Sequence, residues 1–200
     1  MALITKEKLR GYANERLSQY NYRHDSKYIL SKDNVTAEFS ESRGHNIFLC
    51  HSSLDSDTIL GLTGYFASFQ LTTYVDWIDD PQLNRSKVDR KTADLLRKRM
   101  QNSNCLLYAS SDNSANSKWM PWECGYFDGI KSKVAICPIS ESTTQSQSNQ
   151  YNGLEYLDLY PYLATNGLLK ETLRIHESPY KYVEFEEWLK GQKPKAHLNR

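Results

Sequence analysis

Glu123 is the residue whose setting in this chain best suits chemistry. It follows Trp119 by four positions, in a segment of residues 117–129 that also holds Trp122 and Tyr126. On a helix, positions four apart share a face, so the Glu123 carboxylate would lie beside the Trp119 ring. An acid beside a large apolar ring can be tuned for catalysis. The same spacing is typical of a surface acid next to a core tryptophan, so the surrounding elements must decide.

A second polar group follows the apolar run at residues 47–50, where a helix is predicted to begin. Backbone amides and hydroxyl groups at a helix start suit a phosphate or a ribose oxygen. Helix capping is the structural alternative for the same residues. The candidate substrate-binding residues in this group are His51, Ser52, Ser53 and Asp55.

The other binding candidates stand where later strands end or where the aromatic helix begins. Asp76 and Trp77 close a β-rich run at residues 72–77, and Ser110 follows the next apolar run. Asp76 can orient the following loop or contact ribose, and Trp77 can shield the site or stack on a flat base. Trp119 is included as well, although a role in positioning the helix is favoured over direct contact with a ligand.

Apolar runs and helical patterns alternate along the centre of the chain. The predicted strands lie at residues 47–50, 72–77, 105–109 and 134–139. This alternation predicts an α/β fold, a flavodoxin-like doubly wound parallel sheet with helices on both faces. In the strand order 2-1-3-4, the winding direction switches between the first and third strands, and ligands bind beyond the strand ends there. Loops 50–55 and 109–117 meet at that point, which puts Glu123 beside the predicted crevice.

The predicted organisation is one main domain with additions at both ends. Residues 1–44 form a polar N-terminal extension, in which a helix at 6–17 is interpreted as a cover for the sheet edge. Residues 45–190 form the main domain, and its polar stretch at 140–153 is predicted to be a mobile loop. Residues 191–200 form a polar tail.

Beyond the polar loop, the pattern predicts two edge strands and a last helix. The strands are expected within residues 154–163 and 168–175. Proline is favourable at the first position of a helix, so Ser178 and Pro179 predict the start of the final helix.

Composition excludes several classes of function. The formal net charge of +1 argues against a dedicated nucleic-acid binder. No apolar run approaches the roughly 20 residues that span a bilayer. The first residues also lack the apolar core of a signal peptide. The expected location is therefore the cytoplasm, with no membrane contact.

Motif content argues against metal and redox chemistry. The four cysteines show no CxxC spacing and the five histidines show no metal-ligand spacing. Buried thiols and no metal site are therefore expected. Walker A, GxGxxG, HExxH and GxSxG motifs are also absent, which disfavours the common nucleotidases, dehydrogenases, zinc proteases and serine hydrolases.

Three short motifs resemble those of TIR domains, the Toll/interleukin-1 receptor type. Residues 46–55, NIFLCHSSLD, resemble the first-strand box of that family. Residues 74–77, YVDW, resemble its second strand, which leads into the BB loop. Trp119 and Glu123 match the WxxxE arrangement that carries the catalytic glutamate of TIR enzymes. The chain departs from the family pattern at Cys50, where a serine is usual.

The resemblance extends from about residue 45 to residue 139, and more loosely through the final helix. It implies an NAD+ nucleosidase that cleaves the bond between nicotinamide and ribose, with Glu123 as the catalytic residue. NAD+ is then the substrate, and neither a cofactor nor a metal is needed. The product is free ADP-ribose or a cyclic or conjugated derivative.

The resemblance also implies partners and a biological setting. Bacterial TIR proteins of this kind commonly serve in antiphage defence. In Thoeris-type systems a small TIR protein supplies a nucleotide signal to a separate effector protein. The BB-loop region, residues 77–87, is the expected surface for a homo-oligomer.

Two alternative functions are consistent with the same residues. The first is a TIR interaction module that assembles through its BB loop and has no activity. The second is a nucleoside deoxyribosyltransferase-like enzyme, which also uses a glutamate at a comparable crevice. The presence of Glu123 favours an enzyme over a module, and the first-strand and WxxxE motifs favour the TIR family.

Overall fold

The structure, a computed structural model, covers five stretches of the chain: residues 1–19, 44–76, 89–141, 155–167 and 170–197. Trp77 and the predicted self-association segment at 77–87 lie outside these stretches. Most of the predicted loop at 140–153 lies outside them as well.

The central part of the sheet is parallel and has the predicted strand order. Its strands are β2 (His45–Cys50), β3 (Thr73–Tyr74), β4 (Ser103–Ser110) and β5 (Val134–Ser140). They lie side by side in the order β3-β2-β4-β5, and each neighbouring pair is parallel. This is the order 2-1-3-4, which confirms the predicted α/β, flavodoxin-like fold.

Helices cover both faces of this sheet. They are α1 (Lys6–Gln19), α2 (Ser56–Ala67), α3 (Arg90–Gln101), α4 (Met120–Lys131) and the short α5 (Phe185–Leu189). Side chains along β4 alternate between the two faces, as the two-residue period of a strand requires. Cys105 and Leu107 join the core beneath α1 and α2, while Leu106 and Tyr108 join the core beneath α3 and α4.

No helix within the described ranges has the length and the apolar character that crossing a membrane requires.

The start of α3 shows how the local sequence sets a helix boundary. The Asp89 side chain accepts a hydrogen bond of 2.8 Å from the Thr92 N–H, which satisfies one of the free donors at the helix start.

The sheet continues into an antiparallel half. Its strands are β6 (Tyr162–Asn166), β7 (Thr172–Ser178), β8 (Lys181–Glu184) and β9 (Lys195–Ala196). Strand β6 is parallel to β5, and every later pair is antiparallel.

The prediction of a final helix starting at Ser178 is wrong. Ser178 ends β7 and pairs with Lys181 of β8, so Pro179 and Tyr180 form the connection of a hairpin. Proline is as favourable at the first corner of a β-turn as at the first position of a helix, which explains the error. The helix begins only at Phe185.

The described part of the N-terminal region is built into the sheet and its helical layer. Strand β1 (Ile4–Thr5) pairs in parallel with the end of β5. Helix α1 packs on α2, and its interpretation as a cover for the sheet edge stays a prediction. A Cβ atom at Gly61 of α2 would overlap the Leu9 carbonyl oxygen of α1, and only glycine allows this close approach. The domain limits themselves stay a prediction.

Candidate active site

The candidate site lies where β2 and β4 end side by side. Cys50 at the end of β2 pairs with Tyr108 of β4 in parallel register. Because β3 lies on the other side of β2, the winding direction changes at this point, where ligands bind in doubly wound folds. The loops at 51–55 and 111–119 therefore start from neighbouring strand ends.

Glu123 occupies the first turn of α4 and is fully buried, with an exposed fraction of 0%. Its N–H donates a hydrogen bond of 2.8 Å to the Trp119 carbonyl oxygen, so the two residues lie one helical turn apart as their spacing predicts. Pro121 is tolerated because it stands in the first positions of the helix, which need no N–H donor. Glutamate is rarely buried completely in a folded protein, and this makes Glu123 the leading candidate for chemistry.

Trp119 holds the start of α4 against the sheet. It is buried and packs in one core cluster with Met120, Cys124 and Phe127. Its ring meets the Trp122 ring edge to face, with 5.4 Å between the ring centroids. These contacts suit the predicted role of positioning the helix, and direct contact with a substrate stays a prediction.

The cysteines around the site are structural. All four are buried thiols that form no disulfide, which confirms the expectation from their spacing. Burial raises the pKa of the Cys124 thiol to about 11 and that of Cys137 to about 12. Both thiols are therefore protonated at neutral pH and are poor nucleophiles.

His51 and Asp76 form a buried pair between the ends of β2 and β3. The Nε2 atom of His51 lies 3.2 Å from Oδ1 of Asp76, and the two side chains are 1% and 3% exposed. The other ring nitrogen of His51, Nδ1, donates to the Leu49 carbonyl oxygen over 2.6 Å. These two predicted ligands are therefore in contact with each other at the strand ends.

Asp55 contacts the loop after β4. Its Oδ2 atom accepts a hydrogen bond of 2.6 Å from the Ser111 hydroxyl, and its Oδ1 atom accepts one of 2.7 Å from the Asn113 amide. Asp55 also stands at the N-cap position of α2, but its side chain makes no capping hydrogen bond there. The capping alternative is therefore wrong for Asp55, because the carboxylate turns across to a neighbouring loop instead.

The three predicted serine ligands differ in accessibility. Ser53 is exposed, whereas Ser52 is buried and its hydroxyl accepts from the Leu54 N–H over 3.3 Å. Ser110 is half-buried at the end of β4 and pairs with Pro138 of β5. The structure thus gathers the described candidates at one edge of the sheet, and their roles as ligands stay predictions.

The chain is similar to two bacterial proteins. It is 42% identical over 193 residues to "Probable 3' cyclic ADP-D-ribose synthase ThsB'" of Bacillus cereus (strain MSX-D12), a match that covers 94% of this chain and 98% of that protein. It is also 31% identical over 83 residues to "Putative cyclic ADP-D-ribose synthase TIR2" of Cytobacillus dafuensis, which covers 41% of this chain and 22% of that protein. The chain is a TIR-domain protein of the ThsB' family. No protein-family model matches it.

In this TIR domain, Cys50 stands where a serine is usual. Its Sγ atom lies 3.6 Å from the Met120 carbonyl oxygen, the distance of a weak hydrogen bond from the thiol. Cys50 is buried in the same core cluster as Trp119. The departure from the family pattern therefore falls at a contact between the end of β2 and the first turn of α4.

Ser111 and Asn113 belong to the described site, although the sequence marks them only as part of a polar loop. Both donate to the Asp55 carboxylate, which joins the loops that follow β2 and β4. Their type and their position after the third predicted strand are the signals that point to them. Nothing in the local sequence indicates which distant acid they contact.

Proposed function

We propose that this TIR protein is an enzyme that cleaves NAD+ between nicotinamide and ribose and releases an ADP-ribose-derived product in bacterial antiphage defence. The observation that carries the proposal is the fully buried Glu123 at the start of α4, beside the switch in winding direction. The name of the B. cereus relative, a cyclic ADP-D-ribose synthase matched over 94% of this chain, supports the same reaction.

Glu123 supplies what this reaction needs most. The bond between the nicotinamide nitrogen and ribose C1′ breaks, and the nitrogen keeps the electron pair, so nicotinamide leaves as a neutral molecule. Positive charge develops on the ribose, as in the oxocarbenium-like transition state of glycoside hydrolysis. The Glu123 carboxylate stabilises that charge and accepts hydrogen bonds from the ribose hydroxyls.

The product depends on which nucleophile captures C1′. Water gives ADP-ribose and one proton, whereas a hydroxyl of the same molecule closes a ring and releases one proton without consuming water. We favour the cyclic product on the basis of the relative's name. The buried Trp119 and the half-buried Trp122 beside it support this choice, because aromatic rings at the site help to exclude water.

Substrate contacts are proposed for the polar residues at the strand ends. Ser52, Ser53 and Ser110 suit phosphate or ribose oxygens, and the buried pair of His51 and Asp76 borders the same edge. Trp77 is proposed to shield the site or to stack on a base. The substrate is NAD+, and no cofactor or metal is proposed.

The proposed partners follow from the family. The released nucleotide would act as a signal for a separate effector protein, in the cytoplasm, and residues 77–87 would form the contact of a homo-oligomer. Assembly would then raise activity, so the enzyme is to be assayed over a wide range of protein concentrations.

The test is nicotinamide release from NAD+, followed by chromatography for the wild type, Glu123→Gln and Glu123→Ala. Both variants should be slower by about a hundredfold or more, because they lose the charge that stabilises the transition state. Glu15→Gln is the matched control, since Glu15 is exposed on α1 and the change is chemically the same.

Two outcomes would contradict the proposal. If Glu123→Gln releases nicotinamide as fast as the wild type, Glu123 is not the catalytic residue. If the concentrated wild type releases none, with or without extract from phage-infected cells, the non-catalytic interaction module is the better interpretation. Nucleoside base exchange in the same assay would instead indicate a deoxyribosyltransferase-like enzyme.

A further inference from the structure

The Asp55 carboxylate joins two loops that leave neighbouring strands. It is 8% exposed, and each of its oxygens accepts a hydrogen bond, from the Ser111 hydroxyl and from the Asn113 amide. Hydrogen bonds to an ionised acceptor are about twice as strong as those between neutral groups. Asp55 therefore holds the loop after β4 firmly against the loop after β2.

Hydrogen bonds continue from Ser111 toward α4. The Ser111 carbonyl oxygen accepts from the Ser114 hydroxyl over 2.7 Å and from the Ser114 N–H over 3.1 Å. The Ser114 carbonyl then accepts from the Ser117 N–H over 3.2 Å, and the Ser117 hydroxyl accepts from the Met120 N–H over 3.3 Å. Met120 is the first residue of α4. A continuous path of local hydrogen bonds thus leads from Asp55 to the helix that carries Glu123.

The first turn of α4, where this path ends, also contacts the end of β2. The Cys50 thiol lies 3.6 Å from the Met120 carbonyl oxygen, and Trp119 packs in the core below. The first turn of α4 is therefore fixed from two sides, by the core beneath it and by the loop that Asp55 holds.

We propose that Asp55 is a positioning residue rather than a substrate ligand. By holding Ser111 and Asn113 it sets where α4 begins, and so it sets where the Glu123 carboxylate lies relative to the substrate. This assignment replaces the ligand role predicted from the sequence, and it rests on the proposed function. A displacement of about 1 Å at a catalytic group can reduce a rate by as much as a hundredfold, so a distant hydrogen bond can control turnover.

A swap of the two side chains tests the assignment. Asp55→Asn removes the negative charge and one of the two acceptor oxygens, so Ser111 and Asn113 can no longer both donate to the side chain at position 55. In Asn113→Asp, two carboxylates would face each other. In the double variant Asp55→Asn/Asn113→Asp, the amide at position 55 donates to the carboxylate at position 113, and the hydroxyl of Ser111 keeps an acceptor. Each single variant should lose about tenfold to a hundredfold in kcat. The double variant should recover most of it, with KM within about twofold of the wild type throughout.

Asp112→Asn is the matched control. It makes the same chemical change in the same loop, at a side chain that is 82% exposed. Its surface contact with Lys6 contributes little, so kcat should stay within about twofold.

Amide hydrogen exchange separates this proposal from the proposed function. The Glu123 N–H bonds to Trp119, so exchange across residues 117–124 reports on the start of α4 whether or not the protein cleaves NAD+. We expect about tenfold faster exchange there in Asp55→Asn and recovery in the double variant, with little change in α3. If kcat stays low in the double variant while exchange recovers, Asp55 contacts the substrate directly and the proposal is wrong. Unchanged exchange in both single variants also contradicts it.

Discussion

Two histidines of this protein are equally buried, yet they lie in opposite chemical settings. His51 and His176 are each 1% exposed. His51, in the parallel half of the sheet, contacts the Asp76 carboxylate and the Leu49 carbonyl oxygen. His176, on β7 in the antiparallel half, lies between the rings of Tyr162 and Tyr182, with centroid distances of 5.5 Å and 5.1 Å.

The difference shows that the hydrogen-bond partners of a buried histidine, and not its burial alone, define its chemical setting. The Nδ1 atom of His176 faces the Ser178 carbonyl oxygen at 3.3 Å, and its Nε2 atom has no hydrogen-bond partner within the described part of the chain. Burial therefore lowers the pKa of His176 to about 4, helped by the positive charge of Arg174. His51 instead joins two strand ends beside the candidate active site. One histidine is a packed ring, and the other is half of a polar contact.

The largest expected effect is that of removing the His51 ring. In His51→Phe the Asp76 carboxylate would lose its contact with Nε2 of His51, which costs about 2 kcal/mol of folding free energy. The rate of nicotinamide release should fall as well, because the ends of β2 and β3 border the candidate active site. Urea unfolding at pH 7 and the nicotinamide assay measure the two effects.

His176→Phe is the matched control for that variant. The same substitution there keeps an aromatic ring between the two tyrosines, so activity should be unchanged. If His51→Phe does not fold, Asp76→Asn replaces it as the test variant, since the amide keeps a polar group beside His51. Equal losses of stability in the two histidine variants would remove the distinction between the two settings.

The second expected effect is on stability at acid pH. Folded His176 has a pKa of about 4, whereas histidine in an unfolded chain titrates near 6.5. Between these values the unfolded chain binds more protons, so stability falls as the pH drops from about 6.5 to about 4. The contribution of one group is at most about 1.4 kcal/mol per pH unit.

His176→Phe should abolish this part of the pH dependence. At neutral pH the stability of the variant should stay within about 1 kcal/mol of the wild type. Loss of the contact between Nδ1 and the Ser178 carbonyl oxygen offsets the removal of Nε2, which has no hydrogen-bond partner among the described residues. Thermal unfolding of both proteins from pH 4 to pH 8 provides the difference curve. Parallel curves for the two proteins would contradict the lowered pKa.

The sequence predicts well the features that arise from the local periodicity of apolar residues. The α/β fold class follows from the alternation of apolar runs with helical patterns, and the relation of Trp119 to Glu123 follows from a spacing of four. Both depend on short-range periodicity that a single chain displays, whereas the strand order follows from the handedness of crossovers in doubly wound sheets. The sequence does not reveal the hairpin at Ser178, because proline has the same fixed backbone angle in a turn as at a helix start.

Periodic patterns in the sequence do not predict contacts between distant loops. The sequence places His51, Asp55 and Asp76 at the correct edge of the sheet, because each stands at or just after the end of a predicted strand. It does not show that His51 contacts Asp76 or that Asp55 contacts Ser111. Those pairs depend on loop geometry and on the rotamers chosen in the packed chain, which no period in the sequence encodes.

The smallest expected effect concerns Cys50, the last residue of β2, which directly precedes His51. Its thiol faces α4, at 3.6 Å from the Met120 carbonyl oxygen. Cys50→Ser introduces the residue that is usual in TIR domains, and the shorter C–O bond leaves the hydroxyl slightly farther from that oxygen. Stability should change by less than about 1 kcal/mol, and kcat by less than about threefold. Thermal unfolding and nicotinamide release test this expectation, and Cys50→Val, which removes the donor, is the companion variant. A tenfold loss of kcat in Cys50→Ser would show that the end of β2 contributes to the site through Cys50 as well as through His51.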